Sequence, residues 1–399
     1  MVKSVRHVAA LAALGSFLMA GTALAEGAKI GALIPLTGGL QSYGEASLDG
    51  MMLAIDEVNA AGGVLGGPVE VIVGDTQTKA QAAIDAAKKM VSVDGVVGIL
   101  GALASGNTIP VATSVSAVDQ IPQISNASTA PAITTLADND FLFRTVPSDA
   151  YQGAVLAKLT DAAGIGSVAI LYINNDYGVG LAESFTAGYG GQITSSAAFE
   201  PNKASYRGEL QAAASGDPEA LLLIAYPDDG GLLILRQSLE EGFFDRFVVT
   251  DGLKTQQLID DIGAEYMEGV FGTAAGAVDN DASAYFAAAY EAKHGELPPL
   301  PYIDSGFDAA MIMALAIEKA GSTDGAAIRD ALREVTNAPG EPVGPGDFAK
   351  AKELIAAGTD IDYQGAAGNH EFDENGDVTG IFEHWAVKDG AIVSVEMIE

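Results

Sequence analysis

The chain has 399 residues, of which 53 are acidic and 20 are basic, so its formal net charge at pH 7 is −33. This charge argues against nucleic acid and anionic membranes as partners. The absence of cysteine excludes disulfides, thiol nucleophiles and thiolate metal sites. The acidic excess is more typical of a solvated surface suited to saline surroundings than of an acidic binding patch.

The N-terminus has the features of a secretory signal peptide. Lys3 and Arg6 precede an apolar run, and Ala23-Leu24-Ala25 is an A-x-A cleavage site. We therefore predict that residues 1–25 are removed, which leaves 18 basic and 53 acidic residues and a net charge of −35. Because a bacterial lipid anchor needs a cysteine at the cut, the mature product is predicted to be soluble and to carry no lipid anchor.

About 374 residues remain after cleavage, more than one ordinary core accommodates, so the length predicts two lobes. In the first part of the mature chain, short apolar runs alternate with amphipathic segments. This pattern is typical of a parallel sheet with helices on both faces. We predict strands at 29–35, 69–73, 96–100 and 120–125, and helices at 43–60, 78–93 and from 105 onward.

The same pattern restarts near residue 149 and indicates a second α/β unit. Here we predict strands at 168–173, around 193, and at 220–225, 247–250 and 270–274, with helices at 149–163, 206–214 and 232–241. The predicted elements that follow are helices at 282–294, 307–320 and 328–335, a Gly/Pro-rich stretch at 339–368 around one short helix, and a hairpin of 382–387 with 391–397.

Two polar loops follow the third and fourth predicted strands. The first leads into Ser105-Gly106-Asn107, a helix-start signal, and the second is Asn126-Ala127-Ser128-Thr129. Backbone N–H groups, hydroxyls and the helix dipole favour negative charge at such a place. Open α/β sheets also bind ligands at the carboxyl ends of their strands. We predict a small anion site here, although such serines and threonines often only cap helices.

Three chemically distinctive side chains follow successive strands of the second unit. Tyr177, Tyr226 and Asp251 each stand where a predicted strand ends. Taken singly, the tyrosines suit half-buried packing and the aspartate suits a turn. Taken together and facing the anion site across a cleft, an acidic group and aromatic groups match a zwitterionic α-amino acid.

Other chemistry is not supported by the sequence. Residues 373–377 resemble the start of a calcium loop, but the glycine and Glu383 fall at the wrong spacing, so a β-turn is favoured. The histidines are scattered, and no G-x-S-x-G, Walker A or G-x-G-x-x-G motif is present. We therefore predict no metal, no cofactor and no enzymatic activity.

Six segments, taken in order, resemble one known family over essentially the whole mature chain. They are KIGALIPLTGGLQSYGE, LAIDEVNAAGGVLG, GDTQTKAQAAIDAAKKMV, FLFRTVPSDAYQG, NNDYGVG and FDENGDVTG. The chain resembles the branched-chain amino acid (Leu/Ile/Val) binding family of type I periplasmic binding proteins, the receptors of ABC importers. The resemblance implies two Rossmann-like α/β lobes with parallel sheets flanked by helices, joined by three crossovers. It also implies closure on a ligand by hinge motion.

The resemblance assigns roles in the first lobe. Ser105 matches the serine that takes the ligand carboxylate, Ala127 the residue whose carbonyl meets the ammonium, and Thr129 a second carboxylate donor. Leu103 and Ser128 lie in the same two loops and complete this side of the predicted site.

The resemblance also assigns the aromatic and acidic residues. Tyr177 matches a tyrosine that covers the ligand, Tyr226 an aromatic residue at the next strand end, and Tyr302 an aromatic of the side-chain pocket. Tyr43 stands where some members have tryptophan. Asp251 falls where the best-known members have glutamate, and this shorter side chain implies a tighter approach or a different ligand.

The predicted organisation is a signal peptide at 1–25, a first lobe at 26–147 and 276–373, and a second lobe at 148–275 and 374–399. The crossovers are predicted near Pro147, Ala275 and Asp373. The resemblance implies a monomeric periplasmic protein that delivers an amino acid to an ABC permease. Two alternatives remain: an amide or urea receptor of the same fold used in uptake or sensing, against which Asp251 counts, and a secreted hydrolase.

Overall fold

The computed structural model describes residues 27–399, so the predicted signal peptide and its cleavage site lie outside the described residues. The strands are β1 Lys29–Ile34, β2 Glu70–Asp75, β3 Gly98–Gly101, β4 Gln123–Ser125, β5 Leu142–Arg144, β6 Ser167–Ile173, β7 Gln192–Phe199, β8 Ala220–Ile224, β9 Phe247–Val249, β10 Phe271–Gly276, β11 Glu341–Val343, β12 Ile361–Tyr363, β13 Ile381–Lys388 and β14 Ala391–Ile398. The α-helices are α1 Gln41–Ala60, α2 Ala80–Lys89, α3 Ser105–Val111, α4 Ala117–Asp119, α5 Asp149–Ala162, α6 Asp176–Gly188, α7 Arg207–Ala213, α8 Leu232–Glu241, α9 Gln257–Ile262, α10 Ala264–Met267, α11 Asp281–His294, α12 Ile303–Ala320, α13 Gly325–Thr336 and α14 Phe348–Ala356.

The first lobe is built on a five-stranded sheet in the order β2-β1-β3-β4-β5, and every pair in it is parallel. A parallel sheet is stable when both faces are covered. Apolar residues of α1, α12 and α13 pack on one face, and residues of α2 and α3 pack on the other. The first lobe therefore has the alternating strands and helices that the sequence predicts.

The second lobe is built on a seven-stranded sheet in the order β14-β13-β10-β9-β8-β6-β7. Its five strands from β6 to β10 are parallel, whereas β13 runs antiparallel to β10, and β14 antiparallel to β13. Strand β8 lies between β9 and β6 inside the sheet and is buried along its whole length, as its continuous apolar sequence predicts. The predicted C-terminal hairpin forms the last two strands of this sheet.

The chain passes between the lobes three times. The passages are residues 145–148 before α5, residues 277–280 before α11, and residues 378–380 before β13. The fold class predicted from the sequence, two α/β lobes joined by three crossovers, is confirmed. The last passage lies later than Asp373, because the Arg144 guanidinium of β5 still binds the Asp377 carboxylate, with Nε and Oδ1 2.7 Å apart.

Several short elements differ from the sequence prediction. Strand β5 and the parallel pair β11–β12 are only three residues long, too short to show a period, and were not predicted. Helix α12 begins at Ile303 rather than at 307, because the loop before it ends at Tyr302 with a left-handed φ of +77°. These elements depend on contacts with neighbouring segments, which local sequence does not report.

The segment that resembled a calcium loop is a turn in the structure. The carboxylate of Asp373 accepts hydrogen bonds from the N–H groups of Asn375 (2.8 Å) and Asp377 (3.0 Å). Within residues 27–399, no group of His, Asp and Glu is arranged to hold a metal ion. Over the same residues, no helix combines the length and the apolar character needed to cross a membrane.

Candidate functional site

A space of about 280 Å³, which includes volume open to solvent, lies between the lobes, where strands of both sheets have their carboxyl ends. We call it the cleft cavity. It is lined by Leu40, Tyr43, Leu103, Ala104, Ser105, Ala127, Tyr177, Tyr226, Asp251, Gly252 and Tyr302. This position agrees with the rule that open α/β sheets bind ligands beyond the carboxyl ends of their strands.

The first-lobe wall is made by the loop between β3 and α3. Leu103 in this loop has a φ of +51°, a left-handed conformation that is rare for a residue with a bulky side chain. Helix α3 begins at Ser105, as predicted, so the first N–H groups of the helix have no partner within the helix. The Ser105 Oγ accepts a hydrogen bond from the Ala130 N–H at 3.1 Å. Its own O–H is therefore available for an acceptor in the cavity.

Ser128 and Thr129 occupy the second predicted loop, but neither lines the cleft cavity. The Ser128 hydroxyl donates to the Leu103 carbonyl at 2.9 Å. The Thr129 hydroxyl donates to Oδ2 of Asp149 at 2.8 Å. Both hydroxyl protons are thus used inside the protein, where they fix the loops. This differs from the prediction that the Thr129 hydroxyl serves the ligand.

Asp251 is the acidic centre of the cavity. Its Oδ1 accepts from the Tyr177 hydroxyl (2.8 Å) and from the Gln152 side-chain amide (2.7 Å), and its Oδ2 accepts from the Tyr302 hydroxyl (2.8 Å). Its side chain is buried, and none of the ion pairs formed within residues 27–399 includes it. Asp251 therefore has neutral donors but no cationic partner from the described chain.

The donors to Asp251 come from both lobes. Tyr177 belongs to α6 of the second lobe, whereas Tyr302 precedes α12 of the first lobe. Tyr43 of α1 adds a bond across the cleft, from its hydroxyl to the Asp251 main-chain carbonyl at 3.1 Å. Tyr226 stacks on Tyr177, with ring centroids 5.4 Å apart. The two lobes are therefore in contact in this structure, and aromatic side chains from both lobes surround the Asp251 carboxylate.

Burial controls the protonation of this site. Desolvation raises the pKa of Asp251, although the hydrogen bonds from Tyr302, Tyr177 and Gln152 oppose that change. Burial and the Asp251 charge raise the pKa values of Tyr43, Tyr177, Tyr226 and Tyr302 well above the ordinary value of tyrosine. The four tyrosines are consequently neutral hydroxyl donors near neutral pH.

Asp149, the first residue of α5, is a second buried carboxyl group near the site. Burial, and then the negative charge of Asp251, raise its pKa well above the ordinary value, while Thr129 and Arg144 lower it. Its Oδ1 is buried without a hydrogen-bond partner. Sequence reasoning missed both Asp149 and Gln152. The available signal was two polar residues three apart on the helix face that also carries apolar Leu156.

Of the ten residues predicted from the sequence, eight line the cleft cavity. They are Tyr43, Leu103, Ser105, Ala127, Tyr177, Tyr226, Asp251 and Tyr302. The cavity also has three lining residues that were not predicted: Leu40, Ala104 and Gly252. Whether these residues bind a ligand stays a prediction that the experiments below address.

Comparison with known proteins agrees with this geometry. Residues 27–359 match a family model described as periplasmic binding protein. The chain belongs to the periplasmic binding protein family. Proteins of this family are substrate-binding receptors rather than a class of enzymes.

Two named relatives are similar to this protein over most of its chain. The chemotactic signal transduction system substrate-binding protein BasB of Halobacterium salinarum is 29% identical over 350 residues, covering 85% of this chain and 82% of BasB. The leucine-, isoleucine-, valine-, threonine-, and alanine-binding protein of Pseudomonas aeruginosa is 29% identical over 334 residues, covering 82% of this chain and 86% of that protein.

A solved structure extends the similarity to three dimensions. The leucine binding protein LivK of Thermotoga maritima superposes with a TM-score of 0.79 at 28% identity, covering 93% of this chain and 99% of LivK. The likeness therefore includes both lobes and the cleft between them.

Proposed function

We propose that this protein is a periplasmic substrate-binding protein that captures an amino acid, branched-chain or similar, and delivers it to an ABC permease. The observation that carries the proposal is Asp251, a buried carboxylate in the interlobe cavity whose hydrogen bonds all come from neutral donors. A buried charge is stable when it is paired. A ligand ammonium supplies that missing positive charge.

The cavity supports one orientation of an α-amino acid. The ammonium lies between the Asp251 carboxylate and the Ala127 carbonyl. The carboxylate lies against Ser105, where a free hydroxyl proton and the N-terminal N–H groups of the helical segment face it. The side chain then packs among the apolar and aromatic residues Leu40, Leu103 and Tyr43.

The lining of the cavity between the lobes favours a small molecule as the ligand. The cavity is small, and its eleven lining residues surround it from both lobes. A free amino acid is compatible with this space, whereas an extended peptide is not. Four tyrosine rings and Leu103 favour an apolar ligand side chain over a charged one.

The relatives support the substrate class and the cellular role. The Pseudomonas aeruginosa protein is named for binding leucine, isoleucine, valine, threonine and alanine, and the Thermotoga maritima structure is a leucine binding protein. With export by the predicted signal peptide, we place the mature protein in the periplasm as a monomer. We expect it to perform no chemistry on the ligand.

A thermal-shift screen of the twenty amino acids tests this function. A ligand that binds only the folded state stabilises it by about 2.7 kcal/mol at a hundredfold excess over Kd. We expect a rise in melting temperature for leucine, isoleucine or valine, and unchanged ligand mass after prolonged incubation. If none of the twenty shifts the transition, and native mass spectrometry of gently purified protein shows no retained amino acid, the amino-acid assignment is wrong.

Sensing is a second candidate role, because BasB is named as part of a chemotactic signal transduction system. The two roles share the cleft and differ only in the partner that reads the closed state. Pull-down of the ligand-saturated protein with membrane extracts distinguishes them. Recovery of a permease supports uptake, and recovery of a chemoreceptor supports sensing.

A further inference from the structure

The two lobes meet at the rim of the cleft through glycine residues. A Cβ atom placed on Gly39, just before α1, would lie 2.2 Å from the Asp229 carboxylate of the second lobe. A Cβ atom placed on Gly180, in α6 of the second lobe, would lie 2.6 Å from Cδ of Pro131 in the first lobe. Real Cβ atoms essentially never approach this closely, so a side chain at either position requires the opposite lobe to shift.

The backbone itself does not require glycine at either position. Neither Gly39 nor Gly180 has a φ in the left-handed region, where glycine is favoured. Gly180 lies inside a helix, where alanine is preferred over glycine. The absence of a side chain therefore costs helix stability at Gly180 and serves the contact with the opposite lobe.

Asp229 is held firmly at this contact. Its Oδ1 accepts from the Asn202 side-chain amide at 2.9 Å, and its main-chain carbonyl accepts from the Tyr206 hydroxyl at 3.4 Å. The carboxylate lies over Gly39 at the N-terminal end of α1, a helix whose N-cap residue Leu40 gives no side-chain cap. The positive end of the helix dipole attracts a carboxylate there.

We infer that Gly39 and Gly180 are positioning residues for ligand capture. Their missing side chains let the rim of one lobe seat against Asp229 and Pro131 of the other. The inference rests on the proposed function, since capture requires the closed cleft. A methyl group at either position holds the lobes apart and lowers the fraction of molecules that enclose a ligand. The apparent affinity falls in proportion to that fraction.

Closure can be measured without any ligand, because the chain has no cysteine. A Cβ atom placed on Gly106 of the first lobe would lie 3.4 Å from Cβ of Asn175 in the second lobe. This separation is close to that of a disulfide. A Gly106→Cys/Asn175→Cys reference protein should therefore crosslink only when the lobes close. The rate of disulfide formation under mild oxidation then reports closing.

We expect Gly39→Ala and Gly180→Ala, each placed in this reference protein, to crosslink at least tenfold more slowly. Gly208→Ala is the matched control, because Gly208 lies in α7 with no atom within 4 Å of an added Cβ. It should crosslink at the reference rate. Asp229→Ala combined with Gly39→Ala removes the clash and should restore the rate. Thermal unfolding of the reduced proteins checks that each lobe is intact.

The outcomes separate this inference from the proposed function. Crosslinking of Gly39→Ala and Gly180→Ala at the reference rate, or failure of the reference pair to crosslink at all, overturns the inference. If the reference protein crosslinks and the alanine variants slow it, but no amino acid changes the rate, the inference stands and the amino-acid assignment fails.

Discussion

Two buried aspartates in this protein have opposite surroundings. Asp377 forms a bidentate ion pair with Arg144, with Nε–Oδ1 and Nη2–Oδ2 distances of 2.7 Å each. Asp251 accepts hydrogen bonds from Tyr177, Tyr302 and Gln152 and has no cation beside it. Both are satisfied as hydrogen-bond acceptors, but only Asp377 is neutralised by the protein.

The difference separates a structural group from a binding group. Arg144 also donates to the Ala130 carbonyl at 3.1 Å, so the neutralised pair holds the loop beside the cavity in place. Asp251 lies where the lobes meet, and two of its contacts come from the first lobe through Tyr302 and Tyr43. The Asp251 carboxylate, which has no cationic partner in the described chain, thus lies where a ligand cation can pair with it.

The largest expected effect comes from breaking the neutralised pair. Asp377→Asn leaves the Arg144 guanidinium buried without its counter-charge, and such losses cost about 3–5 kcal/mol of folding stability. Chemical denaturation of the ligand-free protein measures this loss. Ligand affinity should change less than in the Asp251 variant. A stability loss below about 1 kcal/mol would show that the pair does not anchor the first lobe.

The next effect tests the unneutralised carboxylate. Asp251→Asn keeps the shape and removes the charge, and loss of one member of a buried charge pair costs about 2–5 kcal/mol of binding free energy. Affinity for the best amino acid should therefore fall roughly 30- to 4,000-fold. Asp251→Glu retains the charge and should be milder or change the preferred ligand. Calorimetric titration of both variants measures these affinities. An Asp251→Asn protein whose affinity is within about threefold of the parent would refute the contact between Asp251 and the ligand ammonium.

Acidification should act on Asp251 without any mutation. Because burial raises the pKa of Asp251, the folded state binds a proton more readily than the unfolded state, and folding stability rises as pH falls through that pKa. Ligand affinity should fall over the same range, since the protonated carboxyl has no charge for the ammonium. For each proton taken up, the free energy of unfolding or of binding changes by at most about 1.4 kcal/mol per pH unit. Calorimetry between neutral pH and pH 4 measures the affinity, with Asp251→Asn as control.

Asp149 makes the acidification test sharper. Its pKa is raised in part by the Asp251 charge, so the two carboxyl groups titrate together. Asp251→Asn should move the pH dependence of folding stability toward lower pH, because the Asp251 charge that raises the pKa of Asp149 is gone. An unchanged pH profile would mean that the two carboxyl groups act independently.

The smallest expected effect concerns the first-lobe wall. Ser105→Ala removes one neutral hydroxyl donor and leaves the backbone N–H groups, so affinity should fall about two- to tenfold. The Ala130 N–H also loses its acceptor in this variant, so unfolding is measured beside calorimetric titration. If Ser105→Ala loses more affinity than Asp251→Asn, the first-lobe wall contributes more to ligand binding than the Asp251 carboxylate does.

Local sequence patterns determined much of the architecture. The buried run Ala220–Ile224 and the other apolar runs predicted parallel strands, since both faces of such strands are covered. The ends of the predicted strands also indicated where Tyr177, Tyr226 and Asp251 lie, because the carboxyl end of a parallel strand fixes the start of the next loop. Short strands such as β5 escaped prediction, because three residues show no period.

Only the tertiary structure decided what each polar group faces. The sequence places Thr129 in a site loop, but the fold brings Asp149 within 2.8 Å of its hydroxyl and uses the proton there. Gln152 reads as an ordinary helix residue until the packing of α5 directs it to Asp251. Side-chain direction and neutralisation depend on residues distant along the chain, such as Asp377 for Arg144. The sequence by itself therefore determined the longer strands and the position of Asp251 at a strand end, because both follow from local pattern. The packing of the two lobes decided which charge was left for a ligand, because it sets the partners of each buried side chain.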